Sequence, residues 1–407
     1  AGDTVAIDPQ ICGGCGACAA ACPTGAASYA VPSSDVLLRR LRALLATYRE
    51  AGGADPVVLF HDGDHGVSET RLRHGAALID VLARFADGLP ARVLPVALNE
   101  TGQLGLEAVA AAFAYGASAV QVLTSAKPRH DIAGLRDTLA TADVLLTALG
   151  YGHGRARTIE TDDPDALAAA LASVLAPGTT EPPSSASPRA ASSFLPLGGK
   201  RDVLKLALRE LHRVAPQPVA TVPLPKGAVF GRIAVNTDGC TLCLSCVSSC
   251  PTGALSDDQE RPTLRFDESL CVQCGLCRGT CPERVISLEP RIDFAAFTTG
   301  PLVLKQEEPF CCTKCGKAFG VKSTIERVKA KLSGAHWMFK GDGSEARLAL
   351  IEMCDDCRIE TATNASIDPY GAPQRAPPRT TDDYFREREE REARERAMLD
   401  KIDRGEV

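Results

Sequence analysis

Twelve of the seventeen cysteines fall into three copies of one spacing, Cys-x2-Cys-x2-Cys-x3-Cys-Pro. This spacing constrains the fold strongly, because each short loop has to wrap around whatever its thiols bind. It is the bacterial run for 4Fe–4S clusters, in which the fourth cysteine ligates the other cluster of a pair. The runs are Cys12, Cys15, Cys18 and Cys22; Cys240, Cys243, Cys246 and Cys250; and Cys271, Cys274, Cys277 and Cys281.

Thiolates suit this role because soft sulfur is a preferred ligand of Fe–S iron. The two-residue gaps let one loop present three thiolates to a cubane, and the following proline ends the loop. Zinc or an empty thiol cluster is the alternative for the second and third runs. The specificity of their eight-cysteine arrangement favours clusters.

Composition and charge narrow the class of protein. The chain has 407 residues, enough for two to four domains, and its net charge of −6 argues against general binding to nucleic acid or anionic membranes. We find no signal peptide and no apolar run near the ~20 residues of a transmembrane helix. Metal-type cysteine spacing favours a reducing, cytoplasmic setting. The missing initial methionine is compatible with a longer natural chain.

The middle of the chain alternates strand and helix patterns, which predicts a parallel sheet with helices on its faces. Helices are also predicted over 35–51 and 200–213. The alternating elements are strands at 57–60, 93–98, 119–123 and 157–159, and helices at 68–86, 104–115, 131–148 and 165–175.

Polar residues follow the strands of this predicted sheet, where open α/β sheets bind ligands. The strand ends carry 61–65 (His-Asp-Gly-Asp-His), Asn99-Glu100 and Thr124-Ser125. The first group offers His and Asp ligands for a divalent metal, and an ordinary polar loop is the alternative. No G-x-G-x-x-G motif follows the first strand, so a dinucleotide site has little support.

The first cysteine run has no neighbouring partner run, so its cluster needs a fourth ligand. Three explanations remain open. A partner run lies upstream in a longer chain, a distant cysteine such as Cys311 closes the site, or Cys22 ligates its own cluster.

Four further cysteines form a different pattern, two Cys-x2-Cys pairs of which the first is followed by Gly316. These pairs resemble a zinc ribbon, whose four thiolates make a closed structural zinc site. A single iron or another cluster is the alternative. Cys311 is left over, as a free thiol or as an alternative ligand. The proposed zinc ligands are Cys312, Cys315, Cys354 and Cys357.

The second and third runs, with 20 residues between Cys250 and Cys271, resemble a bacterial dicluster ferredoxin. The sequence Pro251-Thr252-Gly253-Ala254 also fits that family. The resemblance implies that each run lends its fourth cysteine to the cluster of the other. One cluster would then take Cys240, Cys243, Cys246 and Cys281, and the other Cys271, Cys274, Cys277 and Cys250.

Four segments of the middle region resemble the delta subunit of methyl-viologen-reducing hydrogenases. They are residues 92–96, 106–109, 115–120 and 149–152. That family holds a 2Fe–2S cluster through cysteines at the strand ends. This chain has no cysteine between Cys22 and Cys240, so the resemblance implies a docking or electron-relay scaffold without that cluster.

We therefore predict an α/β plus α+β fold, with a parallel-sheet domain, ferredoxin-like modules and a zinc-ribbon-like module. The predicted segments are 1–33 (4Fe–4S segment), 34–176 (α/β domain), 177–225 (linker with one helix), 226–292 (dicluster ferredoxin domain), 293–365 (four-cysteine domain) and 366–407 (charged tail).

This order of modules resembles multi-cluster ferredoxin-type proteins associated with bacterial molybdenum or tungsten formate dehydrogenases. The resemblance implies a protein that relays electrons between a redox enzyme, such as a formate dehydrogenase, and another carrier. An assembly factor for a molybdenum or tungsten oxidoreductase is one alternative, and a flavin-dependent oxidoreductase subunit is another. We expect electron transfer rather than free-standing catalysis, because no substrate-binding residues are evident.

Overall fold

The computed structural model describes residues 6–63, 74–175, 191–258, 261–341, 343–364 and 378–403. The chain divides into two compact units. The first consists of Ala1–Gly239, Leu244–Asp257 and Leu264–Leu304, and the second of Cys240–Cys243, Asp258–Thr263 and Lys305–Val407.

A four-stranded parallel sheet organises the first unit, which confirms the prediction from the alternating pattern. The strand order is β2-β1-β3-β4, and every neighbouring pair is parallel. The two inner strands are buried along almost their whole length, as expected for strands covered on both faces. The strands are β1 (Val57–Asp62), β2 (Val93–Leu98), β3 (Ala119–Thr124) and β4 (Ala156–Glu160).

Among the described residues, seven helices of this unit precede its second sheet in the chain. The second of these helices begins at Ser34. Its N-cap is Ser33, whose hydroxyl accepts a hydrogen bond from the amide of Val36. The third was predicted from residue 68, and residues 68–73 lie outside the described part. The helices are α1 (Ala17–Ala21), α2 (Ser34–Glu50), α3 (His74–Phe85), α4 (Leu106–Ala114), α5 (Ala133–Ala148), α6 (Pro164–Leu175) and α7 (Lys200–Arg213).

The rest of the first unit contains the second and third cysteine runs, apart from residues 240–243. A three-stranded antiparallel sheet of order β5-β9-β6 supports them, and β7 pairs with β8 as a short hairpin. The elements are β5 (Thr221–Pro223), β6 (Gly231–Val235), α8 (Ser245–Ser248), β7 (Leu255–Ser256), β8 (Thr263–Phe266), α9 (Leu276–Thr280), β9 (Ile286–Asp293) and α10 (Ala296–Thr299).

Helix α7 packs its apolar face into the main hydrophobic core and contacts α4. Its apolar stripe has the helical spacing that the sequence predicted. The same core contains residues of the parallel sheet and, from the antiparallel sheet, Val222 and Ile292. A continuous apolar core therefore links the two sheets through α7. The stripe consists of Val203, Leu204, Ala207, Leu208 and Leu211.

The second unit begins in sequence with residues of the second cysteine run. Thr324 donates a hydrogen bond from its hydroxyl to the carbonyl oxygen of Thr241, and Lys305 donates to that of Cys240. Within the described residues, no helix is long and apolar enough to cross a bilayer. The last elements of the chain are β10 (Leu302–Gln306), β11 (Pro309–Cys311), β12 (Ala318–Val321), α11 (Lys322–Leu332), α12 (Ser344–Ala349), α13 (Asp355–Asn364) and α14 (Thr381–Asp403).

Candidate iron–sulfur and metal sites

Three thiols of the third cysteine run and one of the second line a single cleft in the first unit. The cleft is partly open to solvent. The four cysteines are Cys250, Cys271, Cys274 and Cys277.

The backbone conformation of the loop directs these thiols into the cleft. Gln273 and Gly275 adopt left-handed conformations with φ of 56° and 79°, which bend the loop tightly before helix α9 begins. Apolar side chains complete the walls, among them Ile233, Phe266 and Leu288. Soft sulfur ligands, amide donors and a largely apolar shell suit an iron–sulfur cluster.

The thiols of Cys250 and Cys277 have pKa values shifted in opposite directions. Burial raises the pKa of Cys250, but amide groups of Leu255, Thr252 and Ala254 outweigh it and lower the pKa. Burial raises the pKa of Cys277 to about 11, and neighbouring sulfur charges add to the rise. A bound metal would replace the protons of such crowded thiols, because metal ligands bind as thiolates.

The first cysteine run lies at the carboxyl edge of the parallel sheet. Tyr29 donates its hydroxyl proton to the carbonyl oxygen of Gly14 at 2.6 Å and accepts a hydrogen bond from Asn99 at 2.6 Å. A Cβ on Gly16, whose φ is 78°, would lie 2.6 Å from the Cβ of Gln103. The glycine is therefore required by the close approach of the loop to the turn that follows β2.

A second strand end also reaches this loop. The side chain of His130, which follows β3, lies 3.1 Å from the position that a Cβ on Gly13 would take. The edge where such sheets bind ligands is thus covered by the chain's own cysteine loop. The sequence marked Asn99 as a strand-end residue, whereas the roles of Tyr29 and His130 depend on contacts distant in sequence.

The other polar strand end makes local contacts. The Nδ1 atom of His61 lies 3.0 Å from the carbonyl oxygen of Asp62, whose carboxylate accepts a hydrogen bond from the amide of Gly75 at 2.6 Å. Asp64 and His65 lie outside the described residues. The structure therefore leaves the alternative of a polar loop in place.

The surroundings of Cys22 are similar to those of Cys250. Its sulfur lies 3.6 Å from the hydroxyl of Thr24 and accepts a hydrogen bond from the amide of Ala27 at 3.5 Å. Burial raises its pKa, but these donors outweigh it and lower the pKa to about 7. Cys12 and Cys18 are exposed and Cys15 is partly buried. The fourth ligand of this run stays open.

The second unit brings four sulfur atoms much closer together. The Sγ atoms of its two Cys-x2-Cys pairs all lie within 4.8 Å of one another, and those of Cys315 and Cys354 are 3.6 Å apart. Tetrahedral zinc with Zn–S bonds of about 2.3 Å places its sulfurs about 3.8 Å apart. The four cysteines are Cys312, Cys315, Cys354 and Cys357.

Different local structures present the two pairs. Cys312 and Cys315 follow the antiparallel hairpin strand β11, whereas Cys354 directly precedes α13 and Cys357 lies in its first turn. The sequence resemblance predicted a zinc-ribbon-like module, and that finer description stays a prediction. Cys311 is exposed, and its sulfur lies 4.0 Å from the carbonyl oxygen of Pro309.

Two regions of the chain match models of 4Fe–4S proteins. Residues 239–286 match the 4Fe–4S dicluster domain, and residues 5–28 match the 4Fe–4S binding domain. These matches cover all three cysteine runs and support 4Fe–4S clusters in the protein.

Curated relatives are similar to short parts of the chain. The IorA subunit of indolepyruvate oxidoreductase from Archaeoglobus fulgidus is 44% identical over 90 residues, 21% of this chain and 14% of the relative. The beta subunit of dissimilatory-type sulfite reductase from the same organism is 39% identical over 56 residues, 14% of this chain and 15% of the relative.

A third relative is the polyferredoxin-like subunit of aliphatic sulfonate oxidoreductase from Pyrococcus furiosus. It is 34% identical over 73 residues, 18% of this chain and 40% of the relative. The chain thus spans less than half the length of each of these relatives. Together with the two domain matches, they support a multi-cluster protein of the ferredoxin type, similar to parts of oxidoreductase subunits.

Proposed function

We propose that the chain relays electrons through 4Fe–4S clusters between a redox enzyme and another carrier. The cleft shared by two cysteine runs is the observation that carries this proposal. It joins Cys250 of the second run to three thiols of the third, as expected when each run lends its fourth cysteine to the other cluster. When bound, such clusters accept and release single electrons.

The cysteines divide into proposed ligand sets. The shared cleft supports one proposed set, which consists of Cys250, Cys271, Cys274 and Cys277. The sequence resemblance assigns a second set to Cys240, Cys243, Cys246 and Cys281, and the first run supplies Cys12, Cys15, Cys18 and Cys22.

We also propose that the four-cysteine site of the second unit holds a structural zinc ion. The 3.6 Å sulfur separation fits a tetrahedral four-thiolate ion and leaves no room for a cubane between those two atoms. Phe319 and Met353 are the partly buried apolar side chains packed against these cysteines, so the apolar support is small. Iron in the same geometry remains the alternative.

The redox partner is proposed from resemblance. The relatives named above are subunits of oxidoreductases, and the order of modules resembles proteins associated with formate dehydrogenases. We propose a formate dehydrogenase or another molybdenum or tungsten enzyme as the partner.

Metal analysis after anaerobic purification tests the ligand sets. Cys274→Ala is expected to lose about four irons and four sulfides per chain and keep its zinc, because one cubane loses a ligand. Cys354→Ala is expected to lose zinc and keep its iron. Cys311→Ala removes an exposed cysteine outside both sets and serves as their control, and iron loss in it would instead identify Cys311 as the fourth ligand of the first run.

Electron transfer needs a separate measurement. Protein reduced by dithionite should be reoxidised by cytochrome c in single-electron steps, and Cys274→Ala should deliver about one electron fewer per chain. Full iron in Cys274→Ala would contradict the ligand set. Stoichiometric flavin, or clusters that do not reoxidise, would contradict the relay function.

A further inference from the structure

Arg201, in the first turn of α7, is buried behind the cysteine-lined cleft. It is 8% exposed. Its guanidinium donates hydrogen bonds to the carbonyl oxygens of Val229 at 2.6 Å, Cys271 at 2.8 Å and Ser269 at 3.2 Å. One of these acceptors belongs to a cysteine that lines the cleft. The positive charge therefore lies directly against the backbone of a proposed ligand.

None of the described carboxylates forms an ion pair with this charge. Within the described part of the chain, Arg201 bonds only to carbonyl oxygens, and its guanidinium stacks over the ring of Phe230 at 3.6 Å. A guanidinium is effectively always protonated in proteins, so Arg201 is charged at neutral pH. A buried charge without an opposite charge is costly, which points to a negative group that binds nearby.

The adjacent residue of the same helix provides the contrast. Lys200 donates hydrogen bonds from its ammonium to the carbonyl oxygens of Ala19 at 2.6 Å and Ala20 at 2.7 Å, in the first cysteine run. The same ammonium lies 3.4 Å from the carboxylate of Glu107, and the two side chains are only 10% and 5% exposed. A carboxylate thus neutralises the cation beside the first run.

We propose that Arg201 is the counter-charge of the cluster held by Cys250, Cys271, Cys274 and Cys277, and that it raises that cluster's reduction potential. This inference rests on the proposed function. Four thiolates give an Fe–S cluster a net negative charge, and reduction adds one more. A nearby cation stabilises the reduced state more than the oxidised state, and the effect is strong where water is excluded.

Arg201 acts here as a positioning residue rather than a ligand. Its hydrogen bonds to Ser269 and Cys271 also hold the start of the ligand loop, so the structural and electrostatic roles need separate readouts. Arg201→Gln removes the charge and keeps a hydrogen-bonding side chain. Arg201→Lys keeps the charge and loses the planar fork of donors.

The test is a redox titration of the full chain, followed by electron paramagnetic resonance. The signal that Cys274→Ala removes identifies the cluster in question. Arg201→Gln is expected to lower its midpoint potential, and Arg201→Lys to remain closer to wild type. Arg209→Gln is the matched control, because it removes an exposed charge about 12 Å further along the same helix.

Each possible result either supports or contradicts the proposed role of Arg201. An unchanged potential in iron-replete Arg201→Gln, or an equal shift in Arg209→Gln, overturns the proposal. Loss of about four irons in Arg201→Gln but not in Arg201→Lys supports a required charge, whereas loss in both variants shows a purely structural role. Wild-type protein without the identified signal would instead contradict the proposed function, so the two failures are distinguishable.

Discussion

The Cys-Pro-Thr-Gly-Ala turns at Cys22 and Cys250 share one sequence but have different surroundings. In both, the sulfur lies near a threonine hydroxyl, at 3.6 Å and 3.8 Å, and amide donors lower the thiol pKa. The first turn follows a loop beside the neutralised Lys200–Glu107 pair, whereas the second faces a cleft backed by Arg201. A short sequence therefore sets the turn, and distant residues set its electrostatics.

The largest predicted difference is in thiol ionisation. In metal-free protein, Cys22 should react with iodoacetamide with a pH midpoint near its pKa of about 7, and Cys277 near about 11. Since only the thiolate reacts, the thiolate fractions at pH 7 differ by a factor of about 5 × 10³. Mass spectrometry of alkylated peptides over a pH series measures both midpoints.

Thr24→Ala is the control for this comparison. Because the Thr24 hydroxyl contributes to the low pKa of Cys22, its removal should raise the Cys22 midpoint and leave that of Cys277 unchanged. Coinciding midpoints in the wild-type protein would show that the two environments are equivalent.

The neutralised pair beside the first run should give the next largest effect. Burial raises the pKa of Glu107 above 4.5 despite the attraction of Lys200. The folded state then binds more protons than the unfolded state, so the free energy of unfolding falls as pH rises from 4.5 through the raised pKa. For one proton, this slope is at most about 1.4 kcal/mol per pH unit within that window.

Denaturant titrations at several pH values check this slope. Glu107→Gln should abolish it, and at neutral pH it should also leave Lys200 as a second buried cation without a carboxylate. Glu50→Gln, at an exposed position on α2, is the control. A slope of opposite sign in wild-type protein would mean that Lys200 outweighs burial.

The smallest predicted effect concerns the anchor of the first loop. Tyr29→Phe removes the hydroxyl that joins Gly14 to Asn99, and it should lower the free energy of unfolding by about 1 kcal/mol. The control is Tyr48→Phe, because that hydroxyl donates over a longer 3.4 Å to the carbonyl oxygen of Ala54. Equal denaturation midpoints for the two variants would contradict an anchoring role.

Local patterns predicted the elements well. Helix α7 occupies Lys200–Arg213, the predicted range, because its apolar spacing is regular. Strand β4 spans Ala156–Glu160, one residue beyond the predicted 157–159 at each end. The thiol loops followed from cysteine spacing, since ligands close in sequence restrict the backbone between them.

The contacts that distinguish the sites could not be predicted from sequence. Lys200 and Glu107 meet across 93 positions, and Arg201 reaches Ser269 across 68. Neither pairing follows from periodicity or from a motif. The first depends on how α7 packs against α4, and the second on how the loop at Ser269 packs against α7. The sequence placed 200–213 within a linker, and its apolar stripe was the one signal that the helix is buried.

The core that α7 shares with both sheets has a consequence for how this protein can be divided. A fragment that starts at residue 226 would keep the cleft cysteines but lose Arg201, the donor to the carbonyls of Ser269 and Cys271. It would also expose Phe230 and Ile292 to water. We expect such a fragment to behave as a different redox centre, less soluble and harder to reduce, so excised ferredoxin segments are unreliable substitutes for the intact chain.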